Sequence, residues 1–124
     1  MGTIVAGIAA PRQRLKEYCP GSDIIRIANY FGLAMKAGLV AAGDSAAAKA
    51  LKTGEAHLLV LARDTSPAVV KEITPLAEKR SLPVLWWPDK ESLGLAVGKS
   101  RRGALALLDS GFSKTILKFC DFIE

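Results

Sequence analysis

Gly98-Lys99-Ser100-Arg101-Arg102-Gly103 places three cations in six residues between two glycines. A guanidinium is a planar fork of donors that matches phosphate oxygens, and flanking glycines let a loop close onto a phosphate backbone or a distorted groove. The plain alternative is a solvated basic turn. The phosphate reading gains weight if a second anion-binding element stands beside the loop. A candidate for that element begins at Gly43, where Asp44 or Ser45 suits an N-cap and Lys49 and Lys52 follow one to two turns on. A helix N-terminus offers unpaired N–H groups and the positive end of its dipole, which favours an anion such as a phosphate. Taken alone, the stretch reads as an ordinary capped helix in an α/β domain.

No other residues assemble a reaction. His57 is the chain's only histidine and opens an apolar run, where a hydrogen-bonded boundary residue is commoner than a catalyst. Cys19 and Cys120 have neither metal-ligand nor Cys-x-x-Cys spacing. They read as reduced thiols, with a bridge between the two ends of the chain as the alternative. Asp64 follows a strand, where α/β enzymes often place a carboxylate, but it lacks a partner and reads as a turn residue. Gly98-Lys99-Ser100 has the tail of a phosphate-binding P-loop. However, position 93 is leucine where that motif needs glycine, and a helix precedes the loop where a strand should. Trp86 and Trp87 are adjacent on an expected strand, so they face opposite sides, and core packing accounts for both.

Composition narrows the class. The chain has 124 residues, enough for one domain, and half of them are apolar. A net charge of +5 favours acidic partners, nucleic acid first. Aromatic residues make up 6%, too few for a platform of stacked bases. No apolar run reaches the roughly 20 residues that span a bilayer. The short Ile4 to Ala10 patch lacks the preceding positive charge of a secretory signal. These features predict a cytoplasmic protein.

Residues 1–21, with Arg12, Arg14, Lys16 and a Cys-Pro-Gly-Ser turn, form an N-terminal arm of no assigned role, and residues 22–124 form the domain. Ser22 or Asp23 is expected to cap a helix whose face is Ile24, Ile27, Ala28, Phe31, Ala34 and Met35, ended by Gly38. A strand, Gly43, a capped helix and Gly54 at its C′ position lead to an apolar strand at His57 to Ala62. Thr65-Ser66-Pro67 starts a helix that Pro75 should kink or split. Pro83 to Trp87 is the next strand, and Asp89 caps a short helix through Val97. Ala104 to Leu108 is the last strand. The final helix carries Phe112, Ile116, Phe119 and Cys120 at helical spacing, with Lys114 and Lys118 outward. This alternation implies a central sheet with helices on both faces.

From about Asp23 to Ile123 the chain resembles the kink-turn-binding ribosomal protein family of L7Ae and L30e type, and most closely its small bacterial YlxQ-like members. The match is carried by Gly-Leu-Ala-Met-Lys-Ala-Gly at 32–38, Gly43 with Lys49-Ala50 and Gly54, and Leu59-Val60-Leu61-Ala62-Arg63-Asp64. Pro83-Val84, Ser92-Leu93-Gly94, Val97-Gly98-Lys99 and Gly111-Phe112 complete it. The resemblance implies an α/β/α sandwich with a mixed four-stranded sheet. It also implies a non-enzymatic RNA-binding protein, ribosome-associated or ribosomal-protein-like, that needs no cofactor or metal and acts in translation. Its partner would be structured RNA, ribosomal or otherwise kinked, and not a membrane. The expected RNA-binding residues are Lys36, Gly43, Asp44, Ser45, Lys49, Lys52, Arg63, Val97, Gly98, Lys99, Ser100, Arg101 and Arg102. RNA-binding members carry an Asn-Glu pair that reads guanines, where this chain has Ser45 and Ala46, and a basic residue where it has Ala42. The substitutions remove base-reading groups and leave the backbone-gripping cations. A protein-interaction module that has lost the RNA site is the alternative they suggest.

Overall fold

Leu58–Ala62 is buried at every position, and the rest of the chain is laid out on its two faces. The computed structural model describes residues 15–123. Arg12, Arg14 and the Ile4 to Ala10 patch of the expected arm lie outside the described residues. In chain order the elements are β1 (Glu17–Cys19), a 3-10 turn (Gly21–Asp23), α1 (Ile24–Lys36), β2 (Val40–Ala42), α2 (Asp44–Thr53) and β3 (Leu58–Ala62). Then come α3 (Pro67–Lys79), β4 (Val84–Trp87), α4 (Lys90–Ala96), β5 (Ala104–Leu107), α5 (Ser110–Lys118) and β6 (Asp121–Ile123).

The sheet has six strands in the order β2-β5-β3-β4-β1-β6, not the expected four. β1 and β3 run parallel to β4, while β5 is antiparallel to β2 and β3. The two additional strands are Glu17–Cys19 and Asp121–Ile123. Glu17 pairs with Val84 on one side and with Ile123 on the other, antiparallel, side. Each is three residues long, too short to show the alternation that marks a strand in sequence. Residues 17–19 of the expected arm are therefore a sheet strand. The last helix stops at Lys118, so Phe119 and Cys120 lead into β6 and do not extend α5.

Side chains alternate across the sheet as the pleat requires. Leu58, Val60, Leu85, Trp87, Leu105 and Leu107 meet Ile27, Phe31, Leu93 and Ile116 from α1, α4 and α5. Leu59, Leu61, Val84, Ala104 and Ala106 meet Ala47, Leu51, Ile73 and Ala77 from α2 and α3. Trp87 is fully inside, its ring 5.0 Å from that of Phe31, and its Nε1 is buried with no hydrogen-bond partner among the described residues. Trp86 is half-buried on the other face and donates Nε1–H to Glu17 Oε1 at 2.7 Å.

Several caps match expectation and several do not. Ser66 Oγ accepts the Val69 N–H with Pro67 at the first helical position, Asp89 accepts from Ser92, and Asp109 accepts from Phe112. Gly54 is left-handed at the end of α2, with Glu55 N–H bonded to Ala50 O at 3.0 Å. Neither Ser22 nor Asp23 caps α1 through its side chain: Asp23 holds the N-cap position without a side-chain bond. α3 runs through Pro75 without splitting, because Pro75 and Lys71 both lie on the exposed face, where water can serve the released carbonyl. The two cysteines are free thiols.

Candidate nucleic-acid interface

The start of α2 differs from its expected form in a useful way. Gly43, not Asp44 or Ser45, is the N-cap, with φ 110° and ψ 159°, and no side chain caps the helix. That backbone geometry is left-handed, which only glycine adopts without strain. With no side-chain cap, the first N–H groups of α2 are left as open donors among the described residues. Asp44 and Ser45 are exposed in the first turn. The Asp44 charge stabilises the helix end but opposes an incoming phosphate.

The basic loop adjoins this helix start. Gly43 N–H donates to Ala104 O at 2.8 Å, and Ala62 N–H donates to Gly103 O at 2.9 Å. The Arg102 side chain passes Gly43, its Cδ and Nε lying 3.9 Å from where a Cβ would stand. Gly103 leaves no space for a side chain against Thr65 and Asp44. The loop's other end is fixed by α4. A Cβ at Gly94 would overlap the Ser100 carbonyl, and Lys99 N–H donates to Gly94 O at 2.9 Å.

Within the loop the cations are not equivalent. Arg102 turns its Nη1 back onto Ser100 O, Ser100 Oγ and Arg101 O at 3.0–3.2 Å, so it braces the loop. Lys99 and Arg101 are exposed. Beneath them, Asp64 Oδ1 accepts the Lys90 N–H at 2.9 Å, and Arg102 N–H donates to Lys90 O at 3.1 Å. Asp64 is therefore a capping residue that anchors α4. Hydrogen bonds from Ser92 hold the Asp89 carboxyl below the usual carboxylate range, and the charge of Arg101 adds to this.

The structure gathers Gly43, Asp44, Ser45 and Lys99–Arg102 of the loop at one end of the sheet. Arg63 joins them at the end of β3, its N–H bonded to Trp87 O at 2.8 Å. Val97, expected among the RNA-binding residues, is instead buried in the α1 core and presents no side chain to a ligand. Lys49 stands exposed farther along α2. Lys36 and Lys52 are not brought in. Lys36 ends α1 below the start of β2, whose Val40 pairs with Leu107 at the opposite end of β5. Lys52 ends α2 at that same far end, where its carbonyl accepts from Arg80 at 2.8 Å. Lys90 is a member of the near cluster that its sequence position did not mark. Among the described residues no group of three or more His, Cys, Asp or Glu side chains could hold a metal, and no helix is long and apolar enough to cross a membrane.

Comparison with known proteins identifies the family and the fold. The large ribosomal subunit protein eL8 of Cenarchaeum symbiosum is 34% identical over 85 residues, covering 68% of each chain. The eL8 protein of Picrophilus torridus is 36% identical over 77 residues, and the match spans 61% of that protein's length. RNA-binding protein YlxQ of Bacillus subtilis is 28% identical over 90 residues, covering 73% of this chain and 90% of that one. A solved protein of unknown function from Bacillus halodurans C superposes with a TM-score of 0.72 at 26% identity, covering 76% of this chain and 95% of that chain. The Giardia lamblia 15.5kD RNA binding protein shares the fold, with a TM-score of 0.65 at 19% identity over 77% of this chain and 82% of its own. The family model described as ribosomal protein L7Ae/L30e/S12e/Gadd45 matches residues 26–117, so the chain belongs to that family.

Proposed function

We propose that this protein is a non-enzymatic, ribosome-associated RNA-binding protein of the cytoplasm. It grips sharply bent RNA between the uncapped start of α2 and the loop at 98–103. The observation that carries this reading is the Gly43 N–H to Ala104 O bond, which joins the uncapped start of α2 to the end of the loop that carries Lys99 and Arg101. RNA is recognised by shape, backbone and exposed irregular bases, which a helix end and a loop of this size can reach. Family membership and relatives named as ribosomal or RNA-binding proteins support it.

A mobility-shift titration comparing a kinked RNA duplex with a straight one across a salt series tests it. Binding through Lys49, Lys99, Arg101 and Arg102 predicts a log–log salt slope of roughly −2 to −4. Failure to bind either RNA at low salt sinks the proposal. Replacing Ser45→Asn and Ala46→Glu together is expected to raise selectivity for the kinked form by restoring the family's base-reading pair. Ser45 and Ala46 also motivate the second reading, a protein-interaction module. A stoichiometric partner that survives nuclease treatment would favour that one.

A further inference from the structure

The two additional strands create a surface that the helices among the described residues leave partly uncovered. α2 and α3 cover the face of β5, β3 and β4, and β1 and β6 extend the sheet beyond β4. On that extension Glu17, Arg63, Trp86 and Ile123 line an open cleft of about 290 Å³. Leu61 pairs with Trp86, and Arg63 continues the same face of β3 two residues on. The cleft thus begins at the same end of the sheet as Gly103 and the loop. β5 and β1 are three strand spacings apart, roughly 14 Å, a span that two to three nucleotides can bridge.

Each lining group has a definable role. Trp86 packs partly against the α2 and α3 layer while the remainder of its indole lines the cleft. Its hydrogen bond to Glu17 fixes the plane of the ring. A fixed, half-buried indole is a stacking surface. Arg63 is exposed and supplies the cation that a phosphate needs. The Glu17 carboxylate accepts only, so it repels phosphate and favours a base that presents an amino group.

Resting on the RNA-binding reading above, we infer that this cleft is a second RNA subsite. It takes one unpaired nucleobase stacked on Trp86, with the neighbouring phosphate on Arg63. Adenine, cytosine and guanine carry the amino group that Glu17 favours, and uracil does not.

The test measures the affinity of the full chain for a kinked RNA duplex with and without a short single-stranded tail, placed in turn on each strand end. An adenine tail on one strand should tighten binding about tenfold, a uracil tail less, and an abasic tail of the same length by little. Trp86→Leu should abolish the adenine gain and keep the tail-less affinity, whereas Trp86→Phe should retain most of the gain. Equal affinity for tailed and tail-less RNA, or an abasic tail as good as adenine, overturns the subsite and leaves the helix–loop reading standing. Both results come from the unaltered protein, so they hold even if Trp86→Leu does not fold. Absence of binding to every RNA overturns the helix–loop reading, and the subsite with it.

Discussion

The helix–loop end and the β1–β6 edge differ in what shapes the surface they present. At the helix–loop end the decisive residues are those without side chains. Gly43 takes a left-handed backbone, and Gly94 and Gly103 let chain segments touch. Backbone bonds from Gly43 to Ala104 and from Ala62 to Gly103 then fix the spacing. At the β1–β6 edge the strands are laddered to β4 and to each other, and it is side chains that shape the surface they carry. Trp86 bonds Glu17, and Tyr18 meets Phe122 edge-on at 5.3 Å. A surface positioned mainly by backbone contacts tolerates changes in most of the side chains it displays. One positioned by side chains changes as soon as one of them does. The first arrangement suits a common scaffold that presents different recognition groups.

The contrast can be broken most forcefully at Gly94. Gly94→Ala drives a methyl group into the Ser100 carbonyl, so we expect a loss of about 1–3 kcal/mol in denaturant unfolding. It should also weaken kinked-RNA binding at least tenfold. Unchanged unfolding would show that the loop is not held by α4. Next comes Glu17→Ala, which leaves the half-buried Trp86 N–H unpaired at a cost of about 1 kcal/mol. Affinity for a tail-less duplex should not move, because the helix–loop end owes nothing to Glu17. A smaller effect separates the two arginines. Arg101→Ala should reduce the salt slope by about 0.9 with no change in melting temperature. Arg102→Ala should lower the melting temperature as well, since its guanidinium braces the loop.

The two regions should also fail at opposite extremes of pH. The folded-state pKa of Asp89 lies below its ordinary value of 3.8, so its cap on α4 contributes above that value and is lost as pH falls through the lowered one. Cys120, beside β6, is pushed from 9.0 up to about 12, chiefly by burial, with Cys19 and Asp121 adding to the shift. Its contribution is complete below 9.0 and is lost as pH rises toward about 12. Amide hydrogen exchange across a pH series should show acid loosening α4 and alkali loosening β6. Simultaneous loss of both at either extreme would contradict the separation.

Most of the fold was legible in the sequence because its elements are long or punctuated. The spacing of Ile27, Phe31 and Ala34 marks the inner face of α1, and Gly54 marks the end of α2. Three-residue strands carry no such period. The Cys-Pro-Gly-Ser turn that follows β1 reads as a separator, so the strand was hidden in an apparent arm. In the candidate site, glycine spacing located the helix start and the loop. The same spacing could not show which end of the sheet each cation occupies. Lys36 and Lys52 flank family-like motifs, yet β2 and α2 each run the depth of the sheet and carry them to its far end. Trp86 packs on the α2–α3 core as its place on the strand predicts, but how much of it is covered is not legible for a related reason. Alternation gives the face a residue takes, not whether a helix covers that part of the face.

The two adjacent tryptophans make the molecule its own optical gauge. Trp87 is sealed in the α1 core, its indole N–H unbonded among the described residues, whereas Trp86 borders the solvent-facing cleft and donates its own. Emission from Trp87 should be blue-shifted and shielded from iodide, and emission from Trp86 redder and readily quenched. A single fluorescence trace therefore carries two separable signals, one for the integrity of the core and one for occupancy of the cleft.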